Sequence, residues 1–256
     1  MQQPLEKHVE INDELLDRLR IGDLLSEMEF FRYIKVIDSI NDLPVQSYLY
    51  AMAYAAYGKK DKAIPFFEEA LKYKVDIAPN NYVAYLNNYG TFSEVKDVAT
   101  RAARVIADKS LCFTAYQSCI FSGDLECAKF FAERYIKITD VNDAEEMRLD
   151  FSQVMAQISY FKERVGLSND DFQSIAETVI SVAEEYQKKM LGIDFHTIIE
   201  ECSYSYVVIL KCNEPEILAD MNIELAFSLA DKDQLTDKRF SAWFKGLTGG
   251  ENACNV

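Results

Sequence analysis

The sequence predicts a mainly α fold: an array of helical hairpins closed by a C-terminal α+β element that contains a small antiparallel strand pair. Three observations carry this. Gly58, Gly90 and Gly123 recur at intervals of 32 and 33 residues, each between two runs of helical apolar periodicity. One turn residue per period of this length is the sign of stacked helical hairpins. The acid content rises from residue 140, and beyond residue 203 the apolar spacing changes from helical to alternating.

Residues 1–43 read as two helices, either a diverged first hairpin or a cap on the array. Leu15, Leu16, Leu19 and Leu24 give one apolar face, and Met28, Phe30, Phe31, Ile34, Val36, Ile37 and Ile40 a bulkier second one. Gly22 or Asp23 divides them, and Asn41-Asp-Leu-Pro44 breaks the chain before the first hairpin. A solenoid needs such a cover, because an end repeat otherwise leaves its apolar face in water.

Residues 44–139 contain three hairpins in phase. In the first, Pro44 to Lys74, the residues Ala51, Tyr54, Gly58, Ala63, Phe67 and Ala70 alternate small and large at helical spacing around the turn. Small residues let two helices approach, and the aromatics fill the space above and below. Asp61 reads as the cap of the second helix, which would put Pro65 in the first turn. The second hairpin, Asp76 to Ala107, keeps Gly90, Ala99, Ala102 and Ala103. The third, Ser110 to Ile138, turns at Ser122-Gly123-Asp124 and continues with Ala128, Phe131 and Tyr135.

This pattern resembles a tetratricopeptide repeat, with one well-formed unit and two degenerate ones. The resemblance implies a protein-binding role through a concave groove lined by the first helix of each hairpin. Carried onto this chain, the groove takes Tyr48 and Met52 from the first unit, Asn80 and Asn87 from the second, and Phe113 and Gln117 from the third. Family members that clamp a peptide's terminal carboxylate use basic residues at such places. Here these are absent, so the resemblance implies a neutral, partly aromatic groove.

Residues 140–191 form a long acidic helical hairpin, Asp143 to Val165 and Asn169 to Met190, joined at Gly166. Ser168-Asn-Asp-Asp171 is a strong helix start, with carboxylates where the helix dipole favours them. Residues 192–247 form the closing element. Tyr204, Tyr206, Val208, Leu210 and Cys212 alternate with their neighbours; Asn213-Glu-Pro215 interrupts, and Ile217 to Leu229 alternate again. A period of two predicts two antiparallel strands, and Leu235 to Leu247 reads as a helix over them. Tyr204, Tyr206 and Trp243 are the aromatic anchors that a strand edge there would offer a partner. Residues 248–256 read as a flexible tail with Cys254 exposed.

Charge narrows the range of partners. Residues 140–237 hold 21 acids and 7 bases, whereas residues 1–139 hold 20 and 17, so nearly all of the net −15 resides in one segment. Such a field opposes direct binding of nucleic acid, which needs a basic footprint, and favours a basic protein. Glu145, Glu146, Asp170 and Asp171 are the candidate contacts of this acidic face. The chain is 49% hydrophobic, and no apolar run approaches the length of a bilayer span, nor does the N-terminus read as a signal peptide. A cytoplasmic location follows, and no membrane partner is expected. The six cysteines show no Cys-x-x-Cys pair and read as reduced thiols.

Signals for chemistry are few. The two histidines are His8 and His196; on a helix, His196 and Glu200 would stand one turn apart and could share a proton or a metal, but further ligands at suitable spacing are missing. The sequence has no phosphate-cradling glycine loop and no nucleophile elbow. The expectation is therefore a non-catalytic interaction protein without cofactor or metal. In its concrete form it is an inhibitor, antitoxin or immunity-type protein neutralising a basic effector; the alternative is a peptide-binding regulator or assembly chaperone that uses the groove.

Overall fold

The computed structural model describes residues 4–247, in which ten α-helices are followed by a three-stranded sheet, with an eleventh helix between its second and third strands. The expected flexible tail, 248–256 with Cys254, lies outside the described residues. Side-chain oxygens set most helix starts. Ser26, Asp42, Thr91, Asp108, Asp124, Asp140 and Ser168 each accept a backbone N–H of the first turn that follows. These are donors that the helix itself leaves without partners.

Two compact units divide between Gly90 and Thr91. The boundary falls at the turn expected to lie in the middle of the second hairpin. In the first unit, α1 (Pro4–Ile21) and α2 (Glu27–Ile37) pack on α3 (Leu43–Ala56), which pairs with α4 (Lys60–Lys72); α5 (Ala78–Tyr89) then packs on α4. The positions expected to pack do so: Ala51, Ala63, Phe67 and Ala70 are fully buried. Phe67 stacks on Tyr82 with ring centres 4.7 Å apart. Gly58 turns the chain with φ of 73°. Gly90 instead has φ of −104° and ψ of −178°, ordinary extended backbone leading into the Thr91 cap. The reading of Asp61 as a cap is corrected: α4 begins at Lys60 after Lys59, and Pro65 lies inside the helix. Pro65 offers no N–H to the carbonyl four residues back, a loss that the burial of Ala63, Phe67 and Ala70 offsets.

In the second unit, α6 (Phe92–Val105), α7 (Lys109–Phe121), α8 (Leu125–Ile138) and α9 (Val141–Val165) pack in succession. Gly166, with φ of 74°, ends α9, and α10 (Asn169–Glu185) follows. At its start α10 presses on the α7–α8 turn, where a Cβ on Gly123 would meet Gln173 Cα at 2.9 Å. At its other end Glu184 accepts the Ser93 backbone N–H at the beginning of α6, at 2.7 Å. The carboxylate thus meets the positive end of the α6 dipole.

The closing element differs from expectation in three places. β1 (Met190–Ile198) is a strand that the sequence reading does not contain; Gln187, with φ of 53°, releases the chain after α10. β2 (Ser203–Leu210) is the expected strand, and its antiparallel partner is β1. Ile217 to Leu229 is not a strand but α11 (Pro215–Ala230). Pro215 opens it at a position that spares the N–H, and Leu, Ala, Met and Glu are strong helix formers. Its buried residues Met221, Leu225 and Leu229 repeat every four positions and are apolar by a helical as well as a strand count. The expected covering helix over 235–247 is a short 3₁₀ turn and β3 (Ser241–Gly246), which runs parallel to β2. The sheet order is β1-β2-β3. Gly246 is required there by space, since a Cβ would sit 2.2 Å from the Cys212 carbonyl oxygen.

Candidate functional site

The residues expected to line a groove are placed unevenly. In the first unit Tyr48 and Met52 are 2% and 0% exposed. The Tyr48 hydroxyl donates to Asn12 Oδ1 at 2.6 Å and accepts from Asn81 Nδ2 at 2.5 Å. Burial raises its pKa. Tyr48 is thus a polar tie between α1, α3 and α5, and Asn81 rather than Asn80 supplies the partner amide. Asn80 and Asn87 are half-buried. In the second unit Phe113 is 39% exposed and Gln117 is exposed.

The acidic residues divide into those that hold the fold and those that face water. Asp171 closes a capping box with Ser168, whose backbone N–H it accepts at 2.8 Å, and that contact lowers its pKa. Asp143 pairs with Lys109 and accepts from the Thr139 hydroxyl, which likewise lowers its pKa. Asp150 accepts from the Tyr116 hydroxyl at 2.7 Å. Glu145, Glu146 and Asp170 are exposed. They do not form one cluster: from Glu146 to the end of α9 the helix rises roughly 30 Å, and Asp170 comes only after the Gly166 turn.

The aromatic candidates differ in burial. Tyr206 points into a cluster with Phe161, Phe172 and Phe195, at ring distances of 6.4, 5.9 and 5.4 Å. It is 0% exposed, its hydroxyl has no partner among the described residues, and burial raises its pKa. Its role is to fill the core between the sheet and helices α9 and α10. Trp243 and Tyr204 are half-buried. Trp243 meets the His196 ring edge-on at 6.0 Å. His196 lies on β1, not on a helix, and faces Asp194 Oδ2 at 2.8 Å, while Glu200 follows in the 3₁₀ turn between β1 and β2. The strand thus separates the pair that a helix would have brought together. Asp194 also accepts the Phe195 backbone N–H at 2.8 Å on β1. A charge on an outer strand blunts its pairing with other chains.

The feature that the sequence reading missed is the outward face of α11. Ile223 and Phe227 are 56% and 70% exposed, and Ala219, Ala226 and Ala230 stand exposed with them. Glu216, Asp220 and Glu224 run alongside, and α11 contains no basic residue. The signal was present as a segment apolar on two sides, which a helix buried on one side only cannot hide.

Searches against protein-family models, curated proteins and solved structures found no match.

Proposed function

We propose that this chain is a non-catalytic protein-binding module whose second unit receives a basic partner. The observation that supports it most is the concentration of acid: 21 acids against 7 bases in residues 140–237, with Glu145, Glu146, Asp170, Asp220 and Glu224 all exposed. A field of one sign accelerates the approach of an oppositely charged protein and rejects acidic competitors. A stacked helical framework suits this role, because it presents long surfaces on rigid elements. The resemblance to tetratricopeptide repeats over 44–139 belongs to the same reading, as does a cytoplasmic location. Its concrete version is an inhibitor, antitoxin or immunity-type protein that neutralises a cationic effector.

The test is titration of the full chain with a panel of purified cationic nucleases at low and high salt, repeated with Glu145→Lys, Glu146→Lys and Asp170→Lys combined. Asp171 is left in place because it caps α10. Saturable binding that weakens with salt, and loses part of its salt slope in the variant, supports the reading. Absence of binding to every cationic probe, or binding indifferent to salt, overturns it.

A further inference from the structure

α11 is apolar on two faces but packed on only one. Inward, Met221, Leu225 and Leu229 are buried against β3 and α10. Outward, Ala219, Ile223, Ala226, Phe227 and Ala230 follow the spacing of a second apolar stripe on the same helix. A Phe at 70% exposure beside an Ile at 56% contributes surface that water disfavours and that interfaces use as anchors.

The charges beside the stripe identify what fits it. Glu216, Asp220 and Glu224 are spaced four apart and form a continuous acidic edge. Half-buried Tyr186, just past the end of α10, lies in the field of Asp220 and Glu224. A second copy pairing through the same stripe would bring these carboxylates against their own copies, with no base on the helix to answer them. An anionic lipid surface is repelled for the same reason. We infer that the outward face of α11 is a docking site for a basic amphipathic helix, whose apolar residues cover Ile223 and Phe227 while its Lys or Arg side chains lie along Asp220 and Glu224. This deepens, and rests on, the reading of a basic partner, and the contact would be the packing of one helix face on another.

The experiment uses the full chain and a fluorescent peptide of about 18 residues, enough to span α11, built from Leu and Lys at amphipathic helical spacing. A peptide with Glu in place of Lys is the control. The Lys peptide binds and the Glu peptide does not. Phe227→Ser and Ile223→Ser each weaken binding about tenfold with an unchanged melting temperature, and Asp220→Lys with Glu224→Lys flattens the salt dependence. Equal binding by wild type and Phe227→Ser overturns the α11 site, as does failure of wild type to bind the Lys peptide. In either case the basic-partner reading is judged separately by the nuclease titration. Concentration-dependent dimerisation abolished by Phe227→Ser, or binding to anionic vesicles, replaces the proposed occupant and also overturns it.

Discussion

Asn222 on α11 holds the main chain of Phe244 on β3 with both ends of its amide. The Phe244 N–H donates to Asn222 Oδ1 at 2.6 Å, and Asn222 Nδ2 donates to the Phe244 carbonyl at 3.2 Å. β3 thus has a strand on one edge and a side chain imitating a strand on the other. Asn222→Leu keeps the volume and removes both partners. Leaving a shielded backbone group unpaired costs about 1–3 kcal/mol, so the urea midpoint should fall with little change in slope.

Gly123 and Gly22 share a left-handed backbone, with φ of 71° and 72°, but only Gly123 is crowded. An alanine in that conformation costs roughly 1–2 kcal/mol at either site. At Gly123 the new methyl must also displace the backbone of Gln173, 2.9 Å away, whereas nothing lies within 4 Å at Gly22. Gly123→Ala should therefore lower the melting temperature clearly more than Gly22→Ala. Equal losses would show that the α7–α8 turn and α10 are not in the contact described.

Alkaline pH should unfold the chain. Burial, and then the Asp38 carboxylate, push the Tyr50 phenol up to about 12. Tyr48, Tyr116 and Tyr206 are raised further, in each case first by burial. A pKa higher in the folded than in the unfolded chain gives stability that is complete below the unfolded value near 10 and is lost as pH climbs toward the folded one. Phenolate absorbance and far-ultraviolet dichroism should change together in one cooperative step above about pH 10. Phenols titrating one by one in a folded chain would contradict this.

Acid acts with the opposite sign. Glu29 and Asp171 are lowered by hydrogen bonds from Ser26 and Ser168 in their capping boxes. Their stabilisation is present above the ordinary carboxylate range and is lost as pH falls through the depressed values. Ser26→Ala removes one such bond, the hydroxyl that donates to Glu29 at 2.7 Å. It should cost about 1 kcal/mol at neutral pH and reduce the pH dependence of stability on the acid side, both readable from urea melts at a series of pH values.

The helical part was legible because its signals are local. Ser168 announces a helix start, and the buried Ala51, Ala63, Phe67 and Ala70 sit where one unit's spacing puts them. The closing element was not, because its pattern satisfies two periods. Ile217 to Leu229 alternates like a strand, yet Met221, Leu225 and Leu229 form one face of a helix. β1 was missed because His196 and Glu200 were read at helical spacing, whereas the chain leaves α10 at Gln187, with its positive φ, and runs extended from Met190. The acids were countable in sequence, but spacing along the chain could not separate Asp171, which caps a helix, from the exposed Asp170. The same limit applied to Tyr48: a residue facing a groove and one tied between three helices have the same periodicity.

The parallel pairing of β2 with β3 sets a clock on folding. Ser205 and Ser241, bonded hydroxyl to hydroxyl across the two strands, are 36 residues apart, whereas neighbouring helices meet through turns of a few residues. Contacts between close neighbours in the chain form quickly, and those that must close a long loop form late. The helical pairs and the β1–β2 hairpin should acquire protection from solvent exchange first, with the amides that join 205–210 to 241–246 following as a slower phase. During that interval the β2 edge is open, and the chain is at its most vulnerable to association with its own kind.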